Sequence, residues 1–290
     1  MAYLVHILIL ILIFVILAES LDLVAGHTGL LSVCQAGFFG VGAYCSALLT
    51  TRLAASFLEG LLAGIVVSVA LSLVVSVPSL RLKDDYFVIG TFGLQVIVFG
   101  ILNNWISLTR GPMGVPGIPL PVILGWHCDS QLDFLFLGGV FTLFAYSVMF
   151  LIVESPFGRV LHAIREDEIF AETLGKDTLR FKLIAFAVSA SVAASAGSLY
   201  AHYVTYVDPS SFTVIDSILV ISMVIIGGAG SAWGPLIGAS VLVMLPEALR
   251  FIGLPNAAAG NLRQMIYGVL LVVMMIFRPR GLVGKYALSK

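Results

Sequence analysis

Charge is scarce in this sequence. Asp, Glu, Lys and Arg make up only 11% of its 290 residues, less than half the share of about 25% found in soluble domains. A chain of this length can bury a large core, but it cannot cover that core against water with so few charges. Lipid must therefore be the solvent for much of the exterior. Cysteine is also rare. Cys34, Cys45 and Cys128 form no CxxC and show no zinc-ligand spacing, which argues against a metal site or a disulfide framework. Cys34 and Cys45 sit in apolar surroundings and read as small packing residues. Trp126-His127-Cys128-Asp129 could supply half a metal site, but reads better as a solvated loop. No basic run points to nucleic acid, and the net charge of -1 decides nothing. Catalytic signatures are missing too: there is no HExxH, no GxSxG and no paired-cysteine motif.

What the sequence does have is apolar length. Hydrophobic residues make up 60% of it and its mean hydropathy is +1.09, against a hydrophobic share of roughly 45–50% in soluble domains. A helix needs about 20 mainly apolar residues to cross a bilayer core. Segments 3–18, 61–77, 86–102, 133–153, 183–206, 212–228, 233–249 and 264–277 qualify or nearly do. Residues 24–51 are apolar but rich in glycine (Gly26, Gly29, Gly37, Gly40, Gly42) and could hold one crossing or a broken pair. The expectation is an all-α polytopic membrane protein with about nine or ten crossings, built as a single transmembrane domain over 1–290. The first eighteen residues lack the basic start and small-residue cleavage site of a secretory signal, so they read as a retained span.

Lys and Arg accumulate in cytoplasmic loops. Loop 154–182 carries Arg159, Arg165, Lys176, Arg180 and Lys182; the tail carries Arg278, Arg280, Lys285 and Lys290; loop 78–85 adds Arg81 and Lys83. Only Arg52, Arg110, Arg250 and Arg263 lie elsewhere. An even number of spans separates the basic regions, so charge and span parity together place all three, and the C-terminus, on the cytoplasmic side. The side of the N-terminus depends on how often 24–51 crosses.

Loop 154–182 is more than a linker. Val160, Leu161, Ile164, Ala171 and Leu174 recur at helical spacing from Phe157, on a face interrupted by Glu168. Glu166, Asp167 and Glu168 add an acidic patch, and Gly175 stands where a helix C-cap belongs. A helix lying on anionic lipid would favour Lys and Arg, so an acidic amphipathic helix over 157–175 suggests a cytoplasmic protein partner instead.

Two glycine-rich breaks interrupt the apolar pattern, Gly26-His27-Thr28-Gly29 and Gly227 through Gly238. Gly227-Gly228-Ala229-Gly230-Ser231 is not a phosphate loop, since no Lys-Ser/Thr pair follows it. A tight turn or helix break at membrane depth fits better, and such breaks are tolerated only against protein or a water-filled cavity. Paired interruptions point to a transport pathway; close packing through small residues is the competing explanation. Asp216 and Glu247, with Gln95 and His202, are the polar residues noted within spans. They form no chain of carboxylates at mid-depth, which argues against proton coupling.

Gly26-His27-Thr28-Gly29-Leu30-Leu31-Ser32, followed by Phe38-Phe39-Gly40-Val41-Gly42-Ala43-Tyr44, resembles the signature of branched-chain amino-acid ABC transporter permeases. The likeness continues in order through Asn103-Asn104-Trp105, Gly111-Pro112, Ser155-Pro156-Phe157-Gly158-Arg159, Ala163-Ile164-Arg165-Glu166, Ala196-Gly197-Ser198-Leu199-Tyr200-Ala201-His202 and Gly227-Gly228-Ala229-Gly230-Ser231-Ala232-Trp233-Gly234-Pro235. The chain looks like the longer, M-type permease subunit of such an importer.

The resemblance implies a second permease subunit, two cytoplasmic ATPase subunits that hold ATP and Mg, and an extracytoplasmic solute-binding protein. This chain would itself carry no cofactor, perform no catalysis and sit in a bacterial inner membrane. Loop 154–182 would be the coupling helix, with Arg165, Glu166, Glu168, Ala171, Glu172 and Gly175 facing the ATPase. Gly26, His27, Gly29, Ser32, Gln35, Gly227, Gly228, Gly230 and Ser231 would shape the pathway. The sequence departs from the family pattern in several places. It begins almost at the glycine signature, Asp216 stands where an apolar residue is expected, and His27-Thr28 and Gln35 replace commoner residues. The solute is therefore open among hydrophobic amino acids, urea and amides. A stand-alone secondary transporter or channel is a second class of reading; it requires ionisable groups within the membrane.

Overall fold

The computed structural model describes residues 2–80, 84–123 and 126–250, and residues 265–266, 268–269, 271–273, 276–278 and 281–284. Arg81, Lys83, Arg263, Arg280, Lys285, Lys290 and, within the expected span 264–277, residues 264, 267, 270, 274 and 275 lie outside them. The chain is helical, as its apolar runs require. The helices are α1 (Ala2–Ala25), α2 (Gln35–Arg52), α3 (Phe57–Ser79), α4 (Asp84–Asn104), the single-turn α5 (Ile106–Thr109), α6 (Gln131–Glu154), α7 (Pro156–Glu166), α8 (Glu168–Thr173), α9 (Thr178–Val204), α10 (Val214–Gly227) and α11 (Gly234–Arg250). Among the described residues, six segments are long and apolar enough to cross a membrane: Tyr3–Ala25, Phe57–Ser79, Tyr86–Asn104, Gln131–Glu154, Thr178–Val204 and Pro209–Gly227. Among the described residues, strand is limited to two-residue pairs. β1 (Val115–Pro116) joins β4 (Tyr206–Val207), and β2 (Val122–Ile123) joins β3 (Trp126–His127), all antiparallel.

Helix starts are written in the sequence. Ser56 with Glu59, Ser130 with Asp133 and Thr213 with Asp216 form capping boxes at the heads of α3, α6 and α10, each satisfying backbone donors that a helix start leaves open. Ser155, Asp167 and Asp177 cap α7, α8 and α9. Asp216, out of place by its charge, is thus a capping residue: Oδ2 accepts from Thr213 N at 2.8 Å and from Thr213 Oγ1 at 2.7 Å.

α9 is the axis of the bundle, and its buried side is almost entirely small: Ala190, Ala194 and Ser198 on one row, Ala193, Gly197 and Ala201 on the next. Small rows let backbones approach. A Cβ on Gly42 of α2 would lie 2.1 Å from Ala194 O, and one on Gly197 would lie 1.9 Å from Phe39 O, so the α2–α9 crossing needs glycine on both sides. α3 is arranged inside out. Ser68, Ser72 and Ser76 are buried, while Leu62, Val66 and Val74 are exposed. Exposed apolar side chains also cover α4 (Ile89, Phe92, Ile97) and α6 (Phe136, Leu143, Phe144, Leu151), the surface lipid requires.

Contacts fix the course of the chain. α9 starts beside α8 and ends at Tyr203, whose hydroxyl meets His6 Nδ1 at 2.6 Å. α1 therefore begins at the end of the bundle far from loop 154–182 and finishes beside that loop. Tyr3 at the same far end donates to the Glu247 carboxylate of α11. Leu282 N and Val283 N reach the carbonyls of Ile226 and Gly227 at 2.9 and 3.0 Å, so residues 282–283 lie at the loop end, as the charge pattern requires for the tail. At the far end, His202 is fully buried between Ser46 Oγ (2.9 Å) and Pro119 O (2.7 Å), and ties α2 and α9 to the 115–127 hairpins.

Two expectations change. The first span runs through Ala25 rather than stopping at residue 18. A hydropathy window closes at the first charge, but the helix continues because Glu19, Ser20 and Asp22 face protein, not lipid. Residues 24–51 hold one helix, α2, entered through a non-helical stretch after Gly26. At 18 residues and 1.5 Å per residue, α2 is about 27 Å long, and its modest apolarity is tolerated because it is surrounded by protein.

Candidate pathway and coupling site

The last two turns of α1 carry Glu19 and Asp22, three residues apart and so on one helix face. Asp22 is only 3% exposed. Its Oδ1 accepts the Gly230 N–H at 2.8 Å, and its Oδ2 lies 3.6 Å from His27 Nε2. A carboxylate of α1 thus holds the second glycine break against the first. The fit leaves no room: a Cβ on Gly26 would sit 2.2 Å from Asp22 Oδ1 and 2.5 Å from Gly230 N. Gly29 adopts φ +77°, a left-handed conformation that glycine enters without strain, and turns the chain back into the bundle. On the way Thr28 Oγ1 donates to Val24 O at 2.6 Å and Val33 N to Thr91 Oγ1 at 3.1 Å.

The second break is a helical hairpin pressed backbone to backbone. A Cβ on Gly227 would meet Gly234 O at 1.9 Å, and one on Gly238 would meet Met223 O at 1.8 Å. Gly228 and Gly230 take φ of +112° and +71°. Gly234 N closes the turn onto Ser231 O at 3.0 Å. This break, expected at membrane depth, lies toward the end of the bundle that carries loop 154–182, because Gly230 meets the end of α1 there.

The loop reaches the first break directly. Arg165 of α7 donates from Nη1 to Gly26 O, and its Cγ packs 3.2 Å from where a Gly29 Cβ would be. His162, one turn earlier, meets His27 Nδ1 with Nε2 at 3.2 Å, the rings edge to face. The single helix expected over 157–175 is two helices broken at Asp167, which is extended (φ -156°, ψ 105°) and caps α8 through Phe170 N at 2.9 Å. Two carboxylates of the acidic face expected to meet a partner bond within the chain, although Glu166, Asp167 and Glu172 remain exposed. Glu168 pairs with the buried Lys182 at 2.7 Å, Glu172 Oε1 accepts from Thr178 Oγ1 at 2.8 Å, and Ala171 is buried. Glu166 is exposed, and Gly175 (φ +78°) ends the segment as a C-cap. Beside the exposed Glu172 and Thr173, α8 and its C-cap also show solvent Ile169, Phe170 and Leu174, 75%, 60% and 63% exposed.

Beside the junction lies a cavity of about 270 Å³ lined by Glu19, Asp22, His27, Tyr146, His162 and Gly230, with Glu154 and Arg159 toward its rim. Gly26, His27, Gly29, Gly230 and Arg165 therefore converge on one place. Ser32 and Gln35 do not join them. Ser32 Oγ lies 3.3 Å from Cys34 Sγ, and Gln35 is locked inside the bundle, donating to Ser20 Oγ (3.1 Å) and Ser189 Oγ (2.9 Å). Gly227, Gly228 and Ser231 shape the α10–α11 turn.

Glu19, Asp22, Tyr146 and His162 line the site and were not legible as site residues. The available signal was two carboxylates three apart next to Ser20, directly before the glycine break. Elsewhere, Gln95 donates to Phe212 O at 2.8 Å, which anchors the start of α10. Cys128 is buried after the β2–β3 hairpin, not solvated. Among the described residues no group of His, Cys, Asp and Glu could hold a metal ion.

Residues 3–275 match the family described as branched-chain amino acid transport system / permease component. The chain is 35% identical to the high-affinity branched-chain amino acid transport system permease protein LivM of Salmonella typhimurium, over 93% of its own length and 67% of that protein. It is 34% identical to LivM of Escherichia coli with the same coverage. At 24% identity, over 92% of this chain and 72% of the relative, it also matches the autoinducer 2 import system permease protein LsrC of Salmonella typhi. No solved structure matches it. With the family matched over nearly its whole length and a bundle of membrane-length helices to carry the match, the chain belongs to the branched-chain amino-acid transport permeases, a family of transport components and not of enzymes.

Proposed function

We propose that this chain is the membrane-spanning permease subunit of an ATP-driven importer for branched-chain or other hydrophobic amino acids in a bacterial inner membrane. A second permease subunit completes the pathway, a solute-binding protein delivers the solute outside, and two cytoplasmic ATPase subunits hydrolyse ATP with Mg. The far end of the bundle faces outward, and loop 154–182 and the tail face the cytoplasm. The observation that carries this reading is the contact of Arg165 with Gly26 O, next to Asp22 holding Gly230. One cytoplasmic segment thereby touches the point where both helix breaks meet.

In this mechanism the apolar side chains Ile169, Phe170 and Leu174 seat in an ATPase groove. Closure of the ATPase pair moves α8, and the Glu168–Lys182 pair passes that movement to α9. Through α7, Arg165 and His162 move the end of α1 relative to the α10–α11 turn. Opening the Asp22–Gly230 contact would unseal the cytoplasmic end. The test is uptake of radiolabelled leucine into proteoliposomes containing this chain, its partner subunits and the binding protein. ATP-dependent accumulation supports the reading; uptake that persists without the ATPase subunits sinks it.

The solute is a separate question. A relative named for autoinducer 2 import favours a second reading in which the same architecture carries another small solute, urea and amides included. Competition of leucine uptake by a panel of such solutes decides between them.

A further inference from the structure

Glu19 is a buried carboxylate of the cavity that the coupling account does not use; Glu154, the other unused one, stands exposed at the rim. It is 7% exposed, and its Oε2 has no hydrogen-bond partner. Asp22, one turn away on the same face of α1, is satisfied by Gly230 N and His27. Across the cavity the Tyr146 hydroxyl of α6 faces both Glu19 and the Leu236 backbone, without meeting hydrogen-bond geometry with either. A buried carboxylate is stable only when paired or neutralised, and a second one at i+3 adds repulsion. At the rim, Arg159 is turned back onto the Glu154 carbonyl at 3.4 Å.

We propose that this cavity is a binding site for a compact monovalent cation, held by the Glu19 carboxylate, the Tyr146 hydroxyl and the free acceptor capacity of Asp22. Three acceptors around about 270 Å³ match the three donors of an ammonium group, and the space falls just short of the roughly 300 Å³ at which drug-sized pockets begin. The same chemistry has two sources. One is an alkali ion resident in the protein. The other is the α-ammonium of an amino acid leaving the pathway, a version that rests on the importer reading above.

The test is thermal unfolding of the purified full chain in detergent, at constant ionic strength, in choline, methylammonium, sodium or potassium chloride. A ligand that binds only the folded state raises Tm with its concentration. Methylammonium or an alkali ion is expected to raise Tm by about 2–4 °C over choline. Glu19→Gln abolishes that shift while melting in choline no lower than wild type. Tyr146→Phe, a milder change in case Glu19→Gln does not fold, weakens the cation's apparent affinity about tenfold.

L-leucine and its deaminated analogue 4-methylpentanoate separate the sources. Stabilisation by methylammonium and leucine, with the alkali ions and 4-methylpentanoate silent, assigns the site to the substrate's ammonium; stabilisation by an alkali ion with leucine silent assigns it to a resident ion. Equal melting of wild type in all four salts overturns the proposal, as does an infrared band of a protonated carboxylic acid that Glu19→Gln removes. Because the readout is melting and not uptake, failure here leaves the importer reading standing, and failure of uptake leaves the alkali-ion result standing.

Discussion

Asp22 joins the two glycine breaks, through Gly230 N and His27. Replacing it with Ala strips the buried Gly230 N–H of its acceptor, at a cost of about 1–3 kcal/mol. Replacing it with Asn keeps an acceptor oxygen in place. Thermal unfolding in detergent should show Asp22→Ala melting well below wild type and Asp22→Asn close to it; equal melting of all three would remove the latch from the account. Gly26→Val drives a side chain into Asp22 and Gly230 N, and overpacking of this kind costs about 1–3 kcal/mol. Asp216 shows the opposite case. As a capping carboxylate, its change to Asn should leave uptake near wild type, whereas uptake abolished in that variant would point to a coupling carboxylate. The sequence exposed Gly26, Gly29 and Gly230 because glycine in an apolar run is conspicuous. It hid Glu19 and Asp22 because a charge reads as the end of a span unless its buried surroundings are known, and Tyr146 and Gly230, which enclose them, lie over a hundred positions away.

In the proposed orientation, α8 is the element that meets the ATPase subunits. Its exposed Ile169, Phe170 and Leu174 predict that Phe170→Asp with Leu174→Asp releases the ATPase subunits on co-purification. Both side chains point into solvent, so the chain's own melting should stay within about 0.5 kcal/mol of wild type for each change. Retention of the ATPases by that variant would move the docking surface elsewhere. Glu172→Arg is a weaker test than the acidic pattern suggested, because Glu172 is occupied by Thr178. Periodicity found the amphipathic segment and its Gly175 cap. It did not find the break at Asp167, since the Asp side chain that caps α8 also looks like part of an acidic helical face. Once α8 turns at that break, Glu168 points back to Lys182 and the apolar residues point out.

Across the whole molecule, the positive-inside argument and the contacts along α1, α9 and α11 agree in setting loop 154–182 and residues 282–283 at one end. Single cysteines at Glu166 and at Asn104 should therefore label from opposite faces of sealed vesicles with an impermeant maleimide, Glu166→Cys from the cytoplasmic side. Labelling of both from one face would break the topology. The native Cys128 will interfere little. Burial, and then the charges of Asp133 and Asp129, push its thiol above the usual range, so at neutral pH it holds less of the reactive thiolate than an ordinary cysteine, and its labelling should rise only in more alkaline buffer. The architecture was largely legible because lipid demands long apolar helices. The site was only half legible, because it is made where two breaks and a loop, distant in sequence, come together.

The most direct test of that junction is the amount of leucine moved per ATP hydrolysed by the reconstituted assembly, for wild type and Arg165→Ala. Removing the guanidinium frees the Gly26 carbonyl from the loop while leaving α8 to bind its partner. The account predicts that the variant assembles and hydrolyses ATP, with leucine moved per ATP falling at least about tenfold, the loss of one charge-assisted contact of about 1.5–3 kcal/mol. An Arg165→Ala assembly that moves leucine at the wild-type ratio would contradict it.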